Sequence, residues 1–303
     1  MFGILNCNKP VGLSSRAIVD LVQRRLRPIK VGHAGTLDPL ASGLLLLGVG
    51  AGARLVPYLQ AQPKHYTAEF RFGVRSPSGD LEEELIPHPR APQPSSRQID
   101  EAIQRQLGTI EQVPPTHSAI KIEGRRAYDL VRAGKPVEMK PRRVVIHAIE
   151  VRRYAYPHLE LNIVCGSGTY VRSIGTDIAA FCQTDAVMSS LVRTQVGRFV
   201  LADALSPEQL REENLAARWS PLVAAVPHLP KLRFDDAVMQ RVAHGQVVPI
   251  AGAPAGETGE LAALDAEGTL RAIMIPRHGG WRARRVFPPA CDPCFSSSAA
   301  EKA

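Results

Sequence analysis

One carboxylate in this chain is set apart by its surroundings. Asp38 lies in the stretch Gly32-His33-Ala34-Gly35-Thr36-Leu37-Asp38-Pro39-Leu40-Ala41-Ser42-Gly43. Three glycines and a proline at this density specify a turn-rich loop rather than a helix interior. The loop places the acid between small or apolar residues, near a histidine, and leads into the apolar run Leu44 to Leu47. An aspartate in such a loop is a candidate functional carboxylate. The same residues would also make an ordinary Asp-Pro turn at the start of a strand.

Four further segments carry groups with chemical uses. Asn8-Lys9-Pro10-Val11-Gly12 is a turn that presents a lysine. Pro114-Pro115 leads through Ser118-Ala119-Ile120-Lys121 to Gly124-Arg125-Arg126-Ala127-Tyr128 and on to Arg132. Gly168-Thr169-Tyr170-Val171-Arg172-Ser173 sets an aromatic and an arginine in the first turn of a helix, and Leu191-Val192-Arg193-Thr194 is an apolar and basic strand. From Lys121 to Arg143 the cations Lys121, Arg125, Arg126, Arg132, Lys135, Lys140, Arg142 and Arg143 face only Glu123, Asp129 and Glu138. A solvated basic face would look alike. Cations beside proline-braced loops and aromatics also suit RNA, whose phosphates need charge and whose unstacked bases need platforms.

The elements that must position these groups follow from periodicity. A buried strand is expected from Phe2 to Cys7, then a helix capped by Ser14-Ser15 with Ile18, Leu21, Val22 and Leu26 on one face. Leu44 to Val49 reads as a buried strand and Arg54 to Gln60 as a short helical segment. From Lys64 to Gly73 the alternation puts Tyr66, Ala68, Phe70 and Phe72 on one face of a half-buried strand. Ser76 to Arg97 reads as a surface excursion, followed by a helix carrying Ile99, Ala102, Ile103 and Leu107. Strands are expected at Val144 to Val151 and Leu159 to Cys165, and a helix from Thr169 to about Cys182. Strands and helices mix without a regular βαβ beat, which predicts an α+β fold. Val226-Pro227-His228-Leu229-Pro230 reads as a linker to a small β-rich domain with a hairpin over Glu260 to Pro276.

Composition bounds the rest. The 303 residues are 45% hydrophobic and 22% charged, as in a soluble globular protein. No apolar run reaches the roughly 20 residues that span a bilayer, and no signal peptide is visible, so a cytoplasmic protein without membrane partners is expected. The formal charge of +8 favours polyanionic partners. Cys7, Cys165 and Cys182 sit in apolar surroundings and read as reduced core residues, while Cys291 and Cys294 form a lone pair in the tail. A zinc site needs about four ligands, so no metal is expected.

Taken together, the Lys9-Pro10 turn with Gly12 and Ser14-Ser15, the Asp38 loop, Lys64-His65-Tyr66-Thr67-Ala68, the Pro114 to Tyr128 segment, Gly168 to Arg172 and Leu191 to Thr194 strongly resemble the TruB family of tRNA pseudouridine synthases. The resemblance covers residues 4–230 in family order. It implies a pseudouridine synthase fold with a mixed, mainly antiparallel central sheet and a PUA-like β-rich C-terminal domain. It implies a catalytic domain at 1–230 with a basic RNA-clamping insertion at about 113–143, a PUA-like domain at 231–287 and a disordered tail at 288–303.

The implied reaction cleaves the C1′–N1 bond of the T-loop uridine of tRNA after base flipping, rotates the base and rejoins it through C5, with no cofactor. Asp38 is then the essential carboxylate, Arg172 its partner, and Tyr66 the group stacked on the uracil that removes the last proton. Tyr170 and Leu191 would line the pocket, His33 would brace the space left by the flipped base, and Lys9 and Pro10 would shape the wall beneath the loop. Lys121, Arg125, Arg126, Arg132, Arg142 and Arg143 would meet the RNA backbone. The partner implied is the T stem-loop of tRNA, met by a monomer needing no other protein. Two alternatives share the fold: a non-catalytic RNA-binding protein or tRNA-folding chaperone, and a guide-RNA-dependent synthase. One departure is visible, because the family's Thr/Asp-rich loop here reads Val74-Arg75-Ser76-Pro77-Ser78-Gly79-Asp80-Leu81-Glu82, in which Asp80 keeps part of the role.

If the basic insertion neutralises phosphates, replacing Arg142 and Arg143 by Ala will weaken RNA binding. It will also flatten the logarithmic salt dependence by about one to two, as titrations at several salt concentrations would read. Unchanged affinity and slope would make them a solvated face.

Overall fold

The structure is a computed structural model that describes residues 2–115, 121–122, 125–126, 137, 139–250 and 259–289. Its strands are β1 (Gly3–Lys9), β2 (Val31–His33), β3 (Ser42–Val49), β4 (Lys64–Phe72), β5 (Val74–Arg75), β6 (Ile86–Pro87), β7 (Gly108–Gln112), β8 (Lys121–Ile122) and β9 (Arg125–Arg126). They continue with β10 (Arg142–Ala155), β11 (His158–Cys165), β12 (Ala186–Val196), β13 (Phe199–Val200), β14 (Lys231–Arg233), β15 (Leu261–Leu264), β16 (Leu270–Arg277) and β17 (Gly280–Val286). The α-helices are α1 (Ser15–Leu26), α2 (Val56–Ala61), α3 (Ser96–Gln104), α4 (Val171–Phe181), α5 (Pro207–Glu212) and α6 (Asp236–Ala243).

The larger sheet runs β1-β3-β12-β4-β11-β10-β7, with β2 beside β3 and β13 beside β12. Its pairings are antiparallel except that of β3 with β12, which is parallel. That is the expected α+β architecture with a mixed, mainly antiparallel sheet. A second sheet, β14-β15-β16-β17, follows in the C-terminal part and contains the expected hairpin as β15 and β16.

The leucine run explains how the layers meet. Leu45 and Leu47 pack with Leu5, Cys7, Ile18 and Val22 under α1, while Leu44 and Leu46 face the opposite side with Leu55, Leu59 and Leu222. A strand covered on both faces needs no polar alternation, which is why β3 reads as a continuous apolar run. The second of these clusters also takes in Val226, Leu229, Ala262, Leu264, Ile273 and Phe287, so the two sheets share a core through the proline-spaced segment. A third cluster joins Phe70, Leu159 and Leu161 of the sheet to Ile99 and Ile103 of α3 and Ile174 and Ile178 of α4.

Local signals set the helix ends. Ser14 accepts from the Ala17 amide at 3.1 Å as the cap of α1, and Ser95 with Gln98 forms a capping box at α3. The expected Arg54 to Gln60 segment divides into a 3-10 turn over Gly50–Leu55 and then α2, with a proline in its first turn. The expected surface excursion after β4 departs further: Ser78 and Asp80 are buried. Cys7, Cys165 and Cys182 are free and buried, as reduced core residues would be. The expected disordered tail, apart from Pro288 and Pro289, lies outside the described residues, as do Cys291 and Cys294.

Helix α4 approaches β4 closely because its fifth residue is Gly175. A β-carbon there would overlap the ring of Phe70, which is itself fully buried. Gly175→Ala should therefore destabilise the protein by about 1–3 kcal/mol through overpacking. Denaturant unfolding would read the loss, and unchanged stability would contradict this packing.

Candidate active site

Four separate anchors hold the loop that carries Asp38. The Ala34 amide donates to the Leu46 carbonyl at 2.8 Å, and the Gly12 amide to the Pro39 carbonyl at 2.8 Å. Ser15, buried at the start of α1, accepts from the Leu37 amide at 2.8 Å while its hydroxyl donates to the Leu37 carbonyl at 3.0 Å. Lys9 is fully buried, and its ammonium donates to the carbonyls of Leu13 (2.7 Å), Pro10 (2.9 Å) and Pro39 (3.4 Å). Burial pulls the Lys9 pKa down to about 8, while the nearby Asp38 charge opposes the fall. At neutral pH the amine thus remains mostly a cation, tied to backbone. At the loop's exit Gly43 has φ +102°, and a β-carbon would run into the backbone of Arg193 on the parallel neighbour β12. Only glycine lets the loop leave this close to β12.

Asp38 meets Arg172, the second residue of α4, with Arg172 Nη2 donating to Asp38 Oδ2 at 2.6 Å. The arginine side chain is 6% exposed and the aspartate 39%. One carboxylate edge is therefore spoken for and the other is open. On its far side Arg172 Nη1 donates to the Ser78 carbonyl at 2.7 Å and lies 2.9 Å from Asp80 Oδ2, an ion pair outside hydrogen-bond alignment. Asp80 is buried, and its Oδ1 accepts from the Ser78 hydroxyl at 2.5 Å and the Glu82 amide at 3.0 Å. One buried guanidinium thus bridges two carboxylates, a charge-assisted arrangement that fixes its plane. The start of α4 is fixed in turn by Gln112, whose amide exchanges hydrogen bonds with the Tyr170 backbone at 2.8 and 3.1 Å.

Asp38 opens into a cleft of about 390 Å³ that is also lined by Lys64, Tyr66, Tyr170, Arg172, Leu191 and Arg193. Five residues read from the sequence (Asp38, Tyr66, Tyr170, Arg172 and Leu191) therefore meet in one place. His33, Lys9 and Pro10 do not line the cleft. His33 ends β2, with Nδ1 buried and without a hydrogen bond; burial and then the Arg193 charge hold its pKa below the usual value, so the ring is neutral at pH 7. Among the candidate backbone contacts, Arg142 and Arg143 begin β10, Lys121 pairs with Arg126 across β8 and β9, and Arg132 lies outside the described residues.

Two cleft cations were not picked out from the sequence. Lys64 is buried, its ammonium donates to the Gln62 carbonyl at 2.7 Å and to that of Gln60, and burial followed by the Arg193 charge lowers its pKa to about 8. Arg193 is 1% exposed, with Nε donating to the Leu44 carbonyl at 2.7 Å and Nη2 to that of Gly35 at 3.1 Å. The signal was available: Lys64 lies two residues before Tyr66 and Arg193 two after Leu191, so strand period places each on its neighbour's face. Asp80, flagged only as a partial replacement, is a full partner of Arg172. Chemically, the site offers one half-open carboxylate beside a half-buried phenol, with apolar and aromatic walls. Among the described residues no group of His, Cys, Asp or Glu could hold a metal ion.

A sequence model described as TruB family pseudouridylate synthase (N terminal domain) matches residues 23–171. A tRNA pseudouridine synthase B of Rhodopirellula baltica is 40% identical over 267 residues, covering 83% of this chain and 76% of its own length. Those of Synechocystis sp. and Dehalococcoides mccartyi are 37% and 36% identical, covering 92% and 96% of this chain and 97% and 98% of theirs. Among solved structures, a chain of a Cbf5-Nop10-Gar1 complex superposes with a TM-score of 0.74 at 24% identity, covering 95% of this chain and 85% of that one. At that identity the likeness shows a shared fold.

The bridge makes an asymmetric stability prediction. Removing the buried partner, by Asp80→Ala, should cost about 3–5 kcal/mol. Removing half-open Asp38 the same way should cost clearly less, because water can reach the charge it leaves. Parallel denaturant titrations would read the difference, and equal losses would contradict it.

Proposed function

The chain belongs to the TruB family of pseudouridylate synthases, and on that premise we propose that it converts the T-loop uridine of tRNA to pseudouridine. The observation that carries this reading is Asp38, held at 2.6 Å by Arg172 with its other edge facing a cleft that Tyr66, Tyr170 and Leu191 also line. A cleft of about 390 Å³ falls in the range that takes one small ligand, so a single flipped nucleoside suits it. Extrusion is required because the reacting atoms are shielded in the stack.

In this reading Tyr66 and Tyr170 hold the uracil ring and Leu191 closes the apolar side. Asp38 supplies the negative charge and electron pair needed at the sugar as C1′–N1 breaks. Arg172 holds Asp38 and aims it. Asp80 keeps Arg172 in place and does not touch the substrate. The base leaves with the C1′–N1 electron pair and rotates within the cleft; C5 then bonds to C1′ as the electron pair that Asp38 supplied returns to its carboxylate, and the C5 proton leaves towards Tyr66. The anchored loop beneath, with Lys9 bound to Pro39, keeps Asp38 still while the base moves. Outside the cleft, the basic strands at Lys121–Ile122, Arg125–Arg126 and the start of β10 would grip the stem through its phosphates. The C-terminal sheet would serve as the PUA-like RNA-binding unit. Action as a stand-alone enzyme follows the relatives at 36–40% identity, named as tRNA enzymes, rather than the Cbf5 chain at 24%.

Asp38→Asn is nearly isosteric and tests the role of charge. Turnover of a T stem-loop RNA should fall by roughly 10⁴-fold or more, with binding retained. Comparable turnover in wild type and variant would remove Asp38 from the chemistry.

A further inference from the structure

Arg193 is the largest fully buried side chain of the described residues. Its guanidinium donates to the backbone carbonyls of Leu44 and Gly35, and its side chain interacts with the Tyr66 hydroxyl. Among the described residues no carboxylate lies within 4.0 Å of it. Arg172, by contrast, is balanced by two acids. A buried charge without an acidic partner is costly, and a neutral donor would join the same two carbonyls at lower cost. The charge itself therefore calls for an explanation.

The register supplies one. Strand β12 pairs with β4 so that Arg193 stands directly opposite Tyr66, and both side chains reach the cleft. Resting on the proposed function, we infer that Arg193 is a positioning residue for proton transfer, holding the phenol oxygen of Tyr66 and stabilising it as a phenolate during the reaction. The uracil ring has near-twofold symmetry about its N3–C6 axis, so rotating the base exchanges N1 and C5. One fixed group facing that point can therefore serve both atoms in turn. Tyr66 gives its hydroxyl proton to N1 of the detached base and becomes a phenolate. After rotation and C1′–C5 bond formation, the phenolate takes the C5 proton, and the C5–H electron pair restores the ring's C5–C6 double bond. Protons balance, no electrons leave the system, and the phenol is regenerated.

The electrostatics agree with this geometry. Burial pushes the Tyr66 hydroxyl up, so an unaided phenol would be a reluctant donor, and the Arg193 guanidinium opposes that rise. The other titratable or charged groups around Tyr66 are Lys64 on its own strand, Cys165 on β11, and Asp38 with Arg172 across the cleft. Burial pushes the Cys165 thiol up to about 11, so it remains neutral, while the Asp38 charge works against a phenolate. The ammonium of Lys64 is occupied by the carbonyls of Gln60 and Gln62.

The test compares wild type, Arg193→Met and Arg193→Lys in single turnovers on T stem-loop RNA carrying hydrogen or deuterium at C5 of the target uridine. Arg193→Met should slow the chemical step about 10²-fold, typical of a lost proton-transfer contribution. Its deuterium effect should exceed that of wild type, and the pH limb belonging to Tyr66 should move upward. Arg193→Lys, which keeps the charge, should recover most of the rate. Slowing with an unchanged isotope effect and pH limb would overturn the inference and leave Arg193 a staple between strands. If Arg193→Met does not fold, Arg193→Lys decides, since its shorter cation should give an isotope effect between no change and full expression. An unchanged effect there overturns the idea. Should wild type form no pseudouridine, the function itself fails. The ultraviolet titration of Tyr66, read against Tyr66→Phe, still decides the coupling: it must shift upward in Arg193→Met, and by less in Arg193→Lys, or the inference falls.

Discussion

The structure depends on one guanidinium. Arg172 is buried, yet it reaches Asp38 from one end and Asp80 with the Ser78 carbonyl from the other. A buried arginine with a single acid would be free to swing about that contact. With two it has a fixed plane, and Asp38 inherits the fixed position. Much of the surrounding architecture can be understood as holding this bridge. Gln112 pins the backbone where α4 begins, Gly175 lets α4 lie against Phe70, and Ser15 and Lys9 tie the Asp38 loop from beneath.

The site is assembled from segments far apart in sequence, and the sheet order is what brings them together. Strands β3, β12 and β4 are neighbours, so the exit of the Asp38 loop, Leu191 with Arg193, and Tyr66 with Lys64 occupy adjacent strands. The parallel pairing of β3 with β12 puts Gly43 against Arg193, and the antiparallel pairing of β12 with β4 puts Arg193 opposite Tyr66. Two cationic centres result, with different surroundings. Arg172 is neutralised by acids and serves a carboxylate. Arg193 is not, and it faces the phenol.

How much of this was legible in the sequence depends on the kind of signal. Period-two alternation located β4 and the inward face of Tyr66, and the Ser14 cap with its apolar stripe located α1, because both are local. The continuous leucine run announced a strand covered on both sides, although not which layers would cover it. Asp38, Tyr66, Tyr170, Arg172 and Leu191 came from motif resemblance, and the structure brings them into one cleft. Asp80 was harder to see, because a Pro/Ser/Glu-rich stretch reads as solvent-exposed loop and only the arriving Arg172 makes burial of its acid favourable. Lys64 and Arg193 are legible by strand period, but cations in a basic chain invite a surface reading. The mutual cover of the two sheets was hidden for a further reason: the proline-spaced segment that looked like a linker carries Val226 and Leu229 into a shared core.

In the proposed function, Asp38, Arg172 and Tyr66 together rearrange a uridine in tRNA. The most direct measurement is pseudouridine mapping of an unmodified tRNA transcript after incubation with the purified protein alone. A single new pseudouridine is expected, in the T loop, formed without guide RNA or added protein. A transcript left unmodified, or modified only when a guide RNA is supplied, would contradict it.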